Sequence, residues 1–283
     1  MSSASNERVW FITGTSTGFG RMLAEEVLKA GGKVVATARN VSQVADLEQQ
    51  HPDSAKALKL DVTSKQQAEA AVAETIKTFG RIDVVVNNAG YGLAGAVEEP
   101  SEEEIVRQID TNVYGVIHVT RAALPHLRKQ CSGHIINLSS IAGLIGTPGL
   151  SYYNLTKFAV EGLSEGLAAE LAPLGVKVTI VEPGPFRTDF AGRSAVITDN
   201  EIEEYKQTAG KTREYLRTIS GTQKGDPLRA VHAIMEVVES PEPPLHLLLG
   251  SVAYNRYRGK LKALDAELTK WEALTLGADF PEA

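Results

Sequence analysis

Cysteine is almost missing from this 283-residue chain. Cys131 stands alone, which excludes an internal disulfide and fits a reducing compartment. No apolar run approaches the ~18 residues that a membrane-spanning helix needs. Met1–Arg8 is too short and polar for a signal peptide, so the expected location is cytoplasmic. Basic residues form no long run and the net charge is −6, which argues against nucleic acid or an anionic membrane as a partner. Internal repeats and low-complexity segments are absent, and no metal is expected. Aromatic residues make up only 6% of the chain, too few to indicate which apolar ligand it takes. What remains is ordinary globular composition, 43% apolar with a mean hydropathy of −0.12.

The order of strands and helices is regular. Val9 to Thr13 reads as a short buried strand leading into TGTSTGFG, Thr13 to Gly20. An amphipathic helix follows from Phe19 to Lys29, with Gly31-Gly32 as its stop. Strand, glycine-rich turn and helix form the setting in which glycines bind phosphate. Gly14, Gly18 and Gly20 let the backbone approach a pyrophosphate, whose charge sits at the helix N-terminus. Further strands are expected at Lys33–Ala38, Ala57–Leu60, Ile82–Val86, His134–Leu138, Val176–Val181 and Leu245–Leu249. The alternation predicts one α/β domain over residues 1–283, with a doubly wound parallel sheet of about seven strands and helices on both faces.

The chemistry concentrates between Ile135 and Val160, IINLSSIAGLIGTPGLSYYNLTKFAV. A buried strand ends in Ser139-Ser140, a loop follows through Gly143, Gly146, Pro148 and Gly149, and Ser151 is the expected helix N-cap. Tyr153 and Lys157 then stand at i and i+4 on one helix face. A free phenol titrates near about 10 and must fall by about 3 units to work at neutral pH, about 4 kcal/mol. A unit positive charge at ~4 Å in an effective dielectric of ~20 supplies about 4 kcal/mol. One lysine is of the right order to make the tyrosine an acid/base catalyst. Tyr152 has no lysine at i+4 and reads as packing or pocket wall.

These residues resemble the Ser…Tyr-x-x-x-Lys site of the short-chain dehydrogenase/reductase family. In that family the tyrosine lies thirteen positions after the catalytic serine, which selects Ser140 over Ser139. Gly-x-x-x-Gly-x-Gly at Gly14, Gly18 and Gly20 looks like the family's Thr-Gly-x-x-x-Gly-x-Gly turn, which implies a Rossmann-type fold. Asn87-Asn88-Ala89-Gly90 resembles the Asn-Asn-Ala-Gly motif that braces the central sheet and lines the cofactor groove. Asn112, in a helix opened by a Ser101/Glu104 capping box, matches the asparagine that perturbs its helix and holds a water linked to the lysine. Pro183-Gly184 through Thr188 looks like the segment that passes the nicotinamide, with Phe186 stacking near the ring or simply packing. Asp61 and Val62 match residues that contact adenine, although Asp61 or Ser64 could equally cap the helix running to Phe79. IINLSSIAG, KFAVEGLSE and VEPGPFRTDF look most like the 17β-hydroxysteroid-dehydrogenase-like subgroup.

Cofactor choice is read at the end of the second strand, where Ala38-Arg39 replaces the acid that NAD enzymes place on the ribose. A guanidinium there grips a 2′-phosphate, and Ser16 adds a hydroxyl; Thr17 and Phe19 complete the turn without the basic residue that some NADP-binding relatives carry before Gly18. NADP(H) is therefore the expected cofactor, ahead of NAD(H). The resemblance implies reversible ketone or aldehyde reduction, with Asn112, Ser140, Tyr153 and Lys157 as the catalytic set. The alternatives are an NAD-dependent, hydroxysteroid-like alcohol dehydrogenase and a nucleotide-sensing protein that keeps the fold without turnover. A substrate lid is expected at about 191–226, irregular apart from a helix at Glu201–Ile219, with Tyr205, Tyr215 and Leu216 as contacts. The tail, about 253–276, reads as an amphipathic helix packed on its own body. The expected partners are a small, apolar carbonyl or alcohol substrate and further copies of the chain, as a homodimer or homotetramer built on the two long helices.

Overall fold

A computed structural model describes residues 8–280; of the polar stretch Met1–Arg8 only Arg8 lies within it. Seven parallel strands form the central sheet: β1 (Val9–Ile12), β2 (Lys33–Ala38), β3 (Ala55–Lys59), β4 (Val84–Asn87), then the short β5 (Gly92–Ala94) outside it, β6 (Gly133–Leu138), β7 (Val176–Pro183), β8 (Ala195–Ile197), also outside, and β9 (His246–Leu249). The sheet order is β3-β2-β1-β4-β6-β7-β9, and every pairing in it is parallel. The chain winds outward from β1 to β3, returns to β4, and winds the other way. That reversal opens a crevice at the carboxyl ends of β1 and β4.

Helices cover both faces, and side chains alternate between two cores. Trp10, Ile12, Val34, Ala36 and Ile136 pack on one face against α1 (Gly18–Lys29) and α8 (Pro227–Glu239). Phe11, Val35, Val85, Ile135 and Val178 fill the other against α3 (Lys65–Phe79), α5 (Gly115–Gln130) and α6 (Ser151–Leu171). Burial on both faces explains why these strands read as continuous apolar runs.

Several boundaries and faces differ from expectation. The fourth strand starts at Val84 and runs through Asn87, because Asp83 turns its carboxylate back onto the Val9 N–H at 2.9 Å. Ser151 is the first residue of α6 rather than its cap: the turn closed by Leu150 N–H on the Thr147 carbonyl enters the helix one residue earlier. Ser64, not Asp61, caps α3, accepting from the Gln67 N–H. The helix expected over Glu201–Ile219 is helical in the α sense only as α7 (Lys211–Thr218), with tighter and wider turns before it at Glu203–Tyr205 and Lys206–Gly210.

The largest departure is the tail. Helix α9 (Ser251–Leu276) leaves the body after Lys260, and every residue from Leu261 to Leu276 is exposed. Its amphipathic pattern specified an apolar face but not what covers it. α4 (Glu102–Ile109) and α5 are joined by a π-helical turn, Asp110–Tyr114, which carries Asn112.

Candidate active site

A cleft of about 1030 Å³ opens over the strand ends at the topological reversal. Its nucleotide end is built on β1. Gly14 and Gly18 adopt φ of +68° and +60°, a left-handed backbone that favours glycine. A side chain at Gly14 would also meet the Ala89 backbone at 2.9 Å. Thr17 precedes α1 in extended conformation and makes no side-chain cap, so the first N–H groups of that helix remain directed at the cleft. Gly20 does not line the cleft. It lets α1 pack close, since a Cβ there would lie 2.4 Å from Asn88 Nδ2 and 2.6 Å from the Gly14 carbonyl oxygen.

Asn88 donates to the Thr13 and Gly14 carbonyls at 2.8 and 3.0 Å, and Thr13 Oγ1 accepts from the N–H groups of Asn88 and Ala89. The end of β4 thus fastens the glycine turn. Asn87 braces the sheet through Thr120 and Asn137. Arg39, Asp61 and Val62, at the ends of β2 and β3, line the cleft, as do Ser16, Phe19, Ala89 and Gly90. Arg39 is exposed, and among the described residues its guanidinium makes no ion pair or hydrogen bond.

At the other end stand Ser140, Tyr153 and Lys157, on the cleft wall with Pro183, Gly184, Phe186 and Thr188 opposite. Ser140 follows β6, and its hydroxyl accepts from the Ala142 N–H at 3.1 Å. Asn154 ties that loop to α6, donating to the Ala142 and Ile145 carbonyls and accepting from the Thr147 N–H. Lys157 Nζ donates to the Leu138 carbonyl at 2.6 Å and lies 5.8 Å from the centre of the Tyr153 ring.

Electrostatics run against the simple arithmetic of one lysine beside one phenol. Burial pushes the Tyr153 hydroxyl up to about 12, and the Ser140 side chain only partly opposes it. Burial likewise lowers Lys157 to about 8, partly offset by the charge of Glu161. Desolvation is the largest influence on both groups, and among the described residues the one hydrogen bond of Lys157 Nζ goes to the Leu138 carbonyl. Tyr153 is held as the protonated acid.

Asn112 lies behind the wall, 1% exposed, and does not reach the cleft surface. Its Nδ2 donates to the Tyr91 carbonyl and to Thr156 Oγ1, and its Oδ1 accepts from the Tyr91 N–H. Phe186 is chiefly a packing residue at the cleft edge, edge-to-face with Phe19 at 5.4 Å and seated where Gly225 leaves room. Tyr152 also packs, donating to the Val97 carbonyl at 2.9 Å.

The segment after β7 is better anchored than its polar sequence suggests. Ala209, Arg213 and Leu216 are buried in it, and Arg213 forms an ion pair with Glu99. Tyr215 and Leu216 line the cleft; Tyr205 does not, donating instead to Glu98 Oε1 at 2.7 Å. Phe190 was missed by sequence reasoning, yet its ring lies 5.4 Å from that of Tyr153. Also unforeseen is a group beneath Lys157. Burial raises the carboxyls of Glu161 and Glu182, and His246 Nδ1 lies 2.6 Å from Glu182 Oε1.

Residues 8–196 match the family described as short chain dehydrogenase. The chain belongs to that family. An oxidoreductase from Botryotinia fuckeliana, BOA17, is 42% identical over 96% of this chain and 99% of its own. The crystal structure of a short-chain dehydrogenase from Streptomyces avermitilis superposes with a TM-score of 0.90 at 42% identity, covering 97% of this chain and all of that one. A short chain dehydrogenase/reductase from Burkholderia phymatum in complex with NAD has a TM-score of 0.81 at 25% identity, over 93% and 95%. An alcohol dehydrogenase from Thermococcus sibiricus with 5-hydroxy-NADP gives 0.71 at 26%, over 87% and 97%. The protein is therefore an oxidoreductase of this family, which works with a nicotinamide dinucleotide. Among the described residues no helix is long and apolar enough to cross a membrane.

Proposed function

We propose that the chain is an NADP(H)-dependent carbonyl reductase, reversible to alcohol oxidation, with Tyr153 as its general acid/base. The observation that carries this reading is the placement of Ser140, Tyr153 and Lys157 on one wall of a single cleft whose far end holds Arg39. The residues present fit the dinucleotide: two left-handed glycines, an uncapped helix N-terminus and an unpaired guanidinium are the features that a 2′-phosphorylated dinucleotide requires. Gly14, Ser16, Gly18 and the start of α1 would hold the pyrophosphate, Arg39 the 2′-phosphate, Asp61 and Val62 the adenine, and Pro183 to Thr188 the nicotinamide.

When bound, the reduced nicotinamide supplies the hydride. The chain's own residues do the rest. Ser140 Oγ and the Tyr153 hydroxyl hydrogen-bond the substrate carbonyl oxygen and polarise it. Tyr153, kept protonated by burial, gives its proton to that oxygen as negative charge develops there. The charge of Lys157, 5.8 Å from the ring centre, would favour the phenolate that remains, and its ammonium would hold the nicotinamide ribose. Asn112 fixes the Tyr91 backbone beside this group. Leu150, Phe190, Leu216 and Ile219 contribute apolar wall to the substrate end, which favours an apolar ketone or secondary alcohol.

A panel of ketones, scored by NADPH consumption and repeated with NADH, tests the reading. Turnover of apolar ketones with NADPH, and little with NADH, is expected. Tight NADPH binding with no turnover across aliphatic, aryl and 3-oxoacyl substrates would favour a nucleotide-sensing protein instead.

A further inference from the structure

Helix α9 bears an apolar seam that is uncovered over most of its length. Tyr254, Tyr257, Leu261, Leu264, Leu268 and Trp271 recur at alternating intervals of three and four residues, the a/d spacing of a coiled coil. Tyr257 touches the body beside Ile141 and Leu144. The other five are 41–58% exposed. Three heptads of such a stripe exceed what a solitary surface helix needs.

The flanking charges say what covers it. Arg256, Arg258, Lys260 and Lys262 occupy the first half of α9, and Asp265, Glu267, Lys270 and Glu272 the second. The first half is therefore net basic and the second net acidic, a polarity that runs along the helix. Between two helices running in opposite directions it becomes complementary.

We propose that α9 pairs antiparallel with α9 of a second copy of this chain about a two-fold axis between Leu261 and Leu264. With Leu261 of one copy facing Leu264 of the other, Tyr254 meets the partner's Trp271 and Tyr257 the partner's Leu268, so all six seam positions find partners. The same register sets Arg258 opposite the partner's Asp265 and Lys260 opposite the partner's Glu267. Each of these contacts occurs twice by symmetry, which is the self-complementarity a two-fold interface demands. Lys260 already donates to the Leu144 carbonyl and lies over the Phe158 ring, and an ammonium retains further donors. A parallel pair fits worse, because it would face Glu267 with the partner's Glu272.

Disulfide trapping in the full-length protein tests the geometry. Tyr254→Cys and Trp271→Cys are made separately in a Cys131→Ser background, since Cys131 is exposed. The two are then oxidised alone and as a mixture. A covalent dimer is expected in the mixture and in neither variant alone, because like positions lie about 25 Å apart along an antiparallel pair. Cross-linking of each variant with itself would mean a parallel pair, and no cross-link in any sample would mean α9 lies elsewhere; either result overturns the proposal. Charge reversal gives a second reading by sedimentation velocity. Arg258→Glu or Asp265→Lys alone is expected to weaken association through α9 about tenfold, and the two together to restore it. Failure of the double variant to recover would also overturn it.

Discussion

Arg213 and Glu99 form an ion pair sealed from water, with side chains 3% and 0% exposed. Glu99 also accepts from the Ile202 N–H at 2.9 Å, and its backbone carbonyl accepts from Asn200 Nδ2 at 3.2 Å. Glu99 therefore anchors the segment between β8 and α7, whose flanking residues Val196, Lys211 and Thr212 line the cleft. Burial alone would raise the Glu99 carboxyl; the N–H groups of Ile202 and Ala96 together with the Arg213 guanidinium hold it below the usual carboxylate range.

Breaking this pair on one side leaves a buried charge without a partner. Arg213→Met is expected to cost about 3–5 kcal/mol, read from denaturant unfolding. Limited proteolysis should show new cleavage within 198–219, and KM for the ketone should rise more than kcat falls. Unchanged proteolysis and stability would mean that the segment is held by its apolar contacts alone.

Arg39 decides the cofactor in this account. Its guanidinium is unpaired among the described residues and sits at the end of β2, on the rim of the cleft. Arg39→Ala is expected to raise the Kd for NADPH by about 10–100-fold, the loss of a charge-assisted hydrogen bond, while that for NADH changes little. Equal loss for both nucleotides, measured by fluorescence titration, would assign Arg39 to the ribose or adenine and not to a 2′-phosphate.

Proton chemistry carries a pH signature. In the proposed mechanism, ketone reduction needs Tyr153 protonated and Lys157 charged. Lys157 is lowered to about 8 and Tyr153 raised to about 12, so the lysine loses its proton first as pH rises. kcat/KM for reduction is expected to fall as pH rises through about 8, with one ionisation controlling the limb. Glu161 raises the Lys157 value by its charge, so Glu161→Gln should move that limb to lower pH. A limb that stays in place in this variant would separate it from Lys157.

The sequence made legible what is local. Gly14 and Gly18 sit in a strand–turn–helix, and Tyr153 and Lys157 share a helix face by spacing alone; each can be read without knowing where the rest of the chain goes. Ser140 needed the family's spacing as well. Glu99 and Arg213 are 114 positions apart, so no local pattern announces their pairing. The clasp made by Asn154 and the grouping of Glu161, Glu182 and His246 likewise exist only because β6, α6, β7 and β9 converge. Burial was the other blind spot. Charge spacing suggested a lowered phenol, whereas desolvation, a property of the packed site, raises it. In α9 the heptad pattern specified an apolar face while its exposure depended on where the helix leaves the body.

The central claim is that the Tyr153 hydroxyl moves the proton. Tyr153→Phe removes that oxygen and leaves the buried ring, its packing on Phe190 and the nucleotide end of the cleft intact. The measurement is kcat for NADPH-dependent ketone reduction set beside the Kd for NADPH in the same preparation. A loss of at least about 100-fold in kcat is expected, the lower end of what a positioned acid contributes, with the Kd unchanged within about twofold. A variant that turns over at the parent rate, with NADPH bound as tightly, would contradict it.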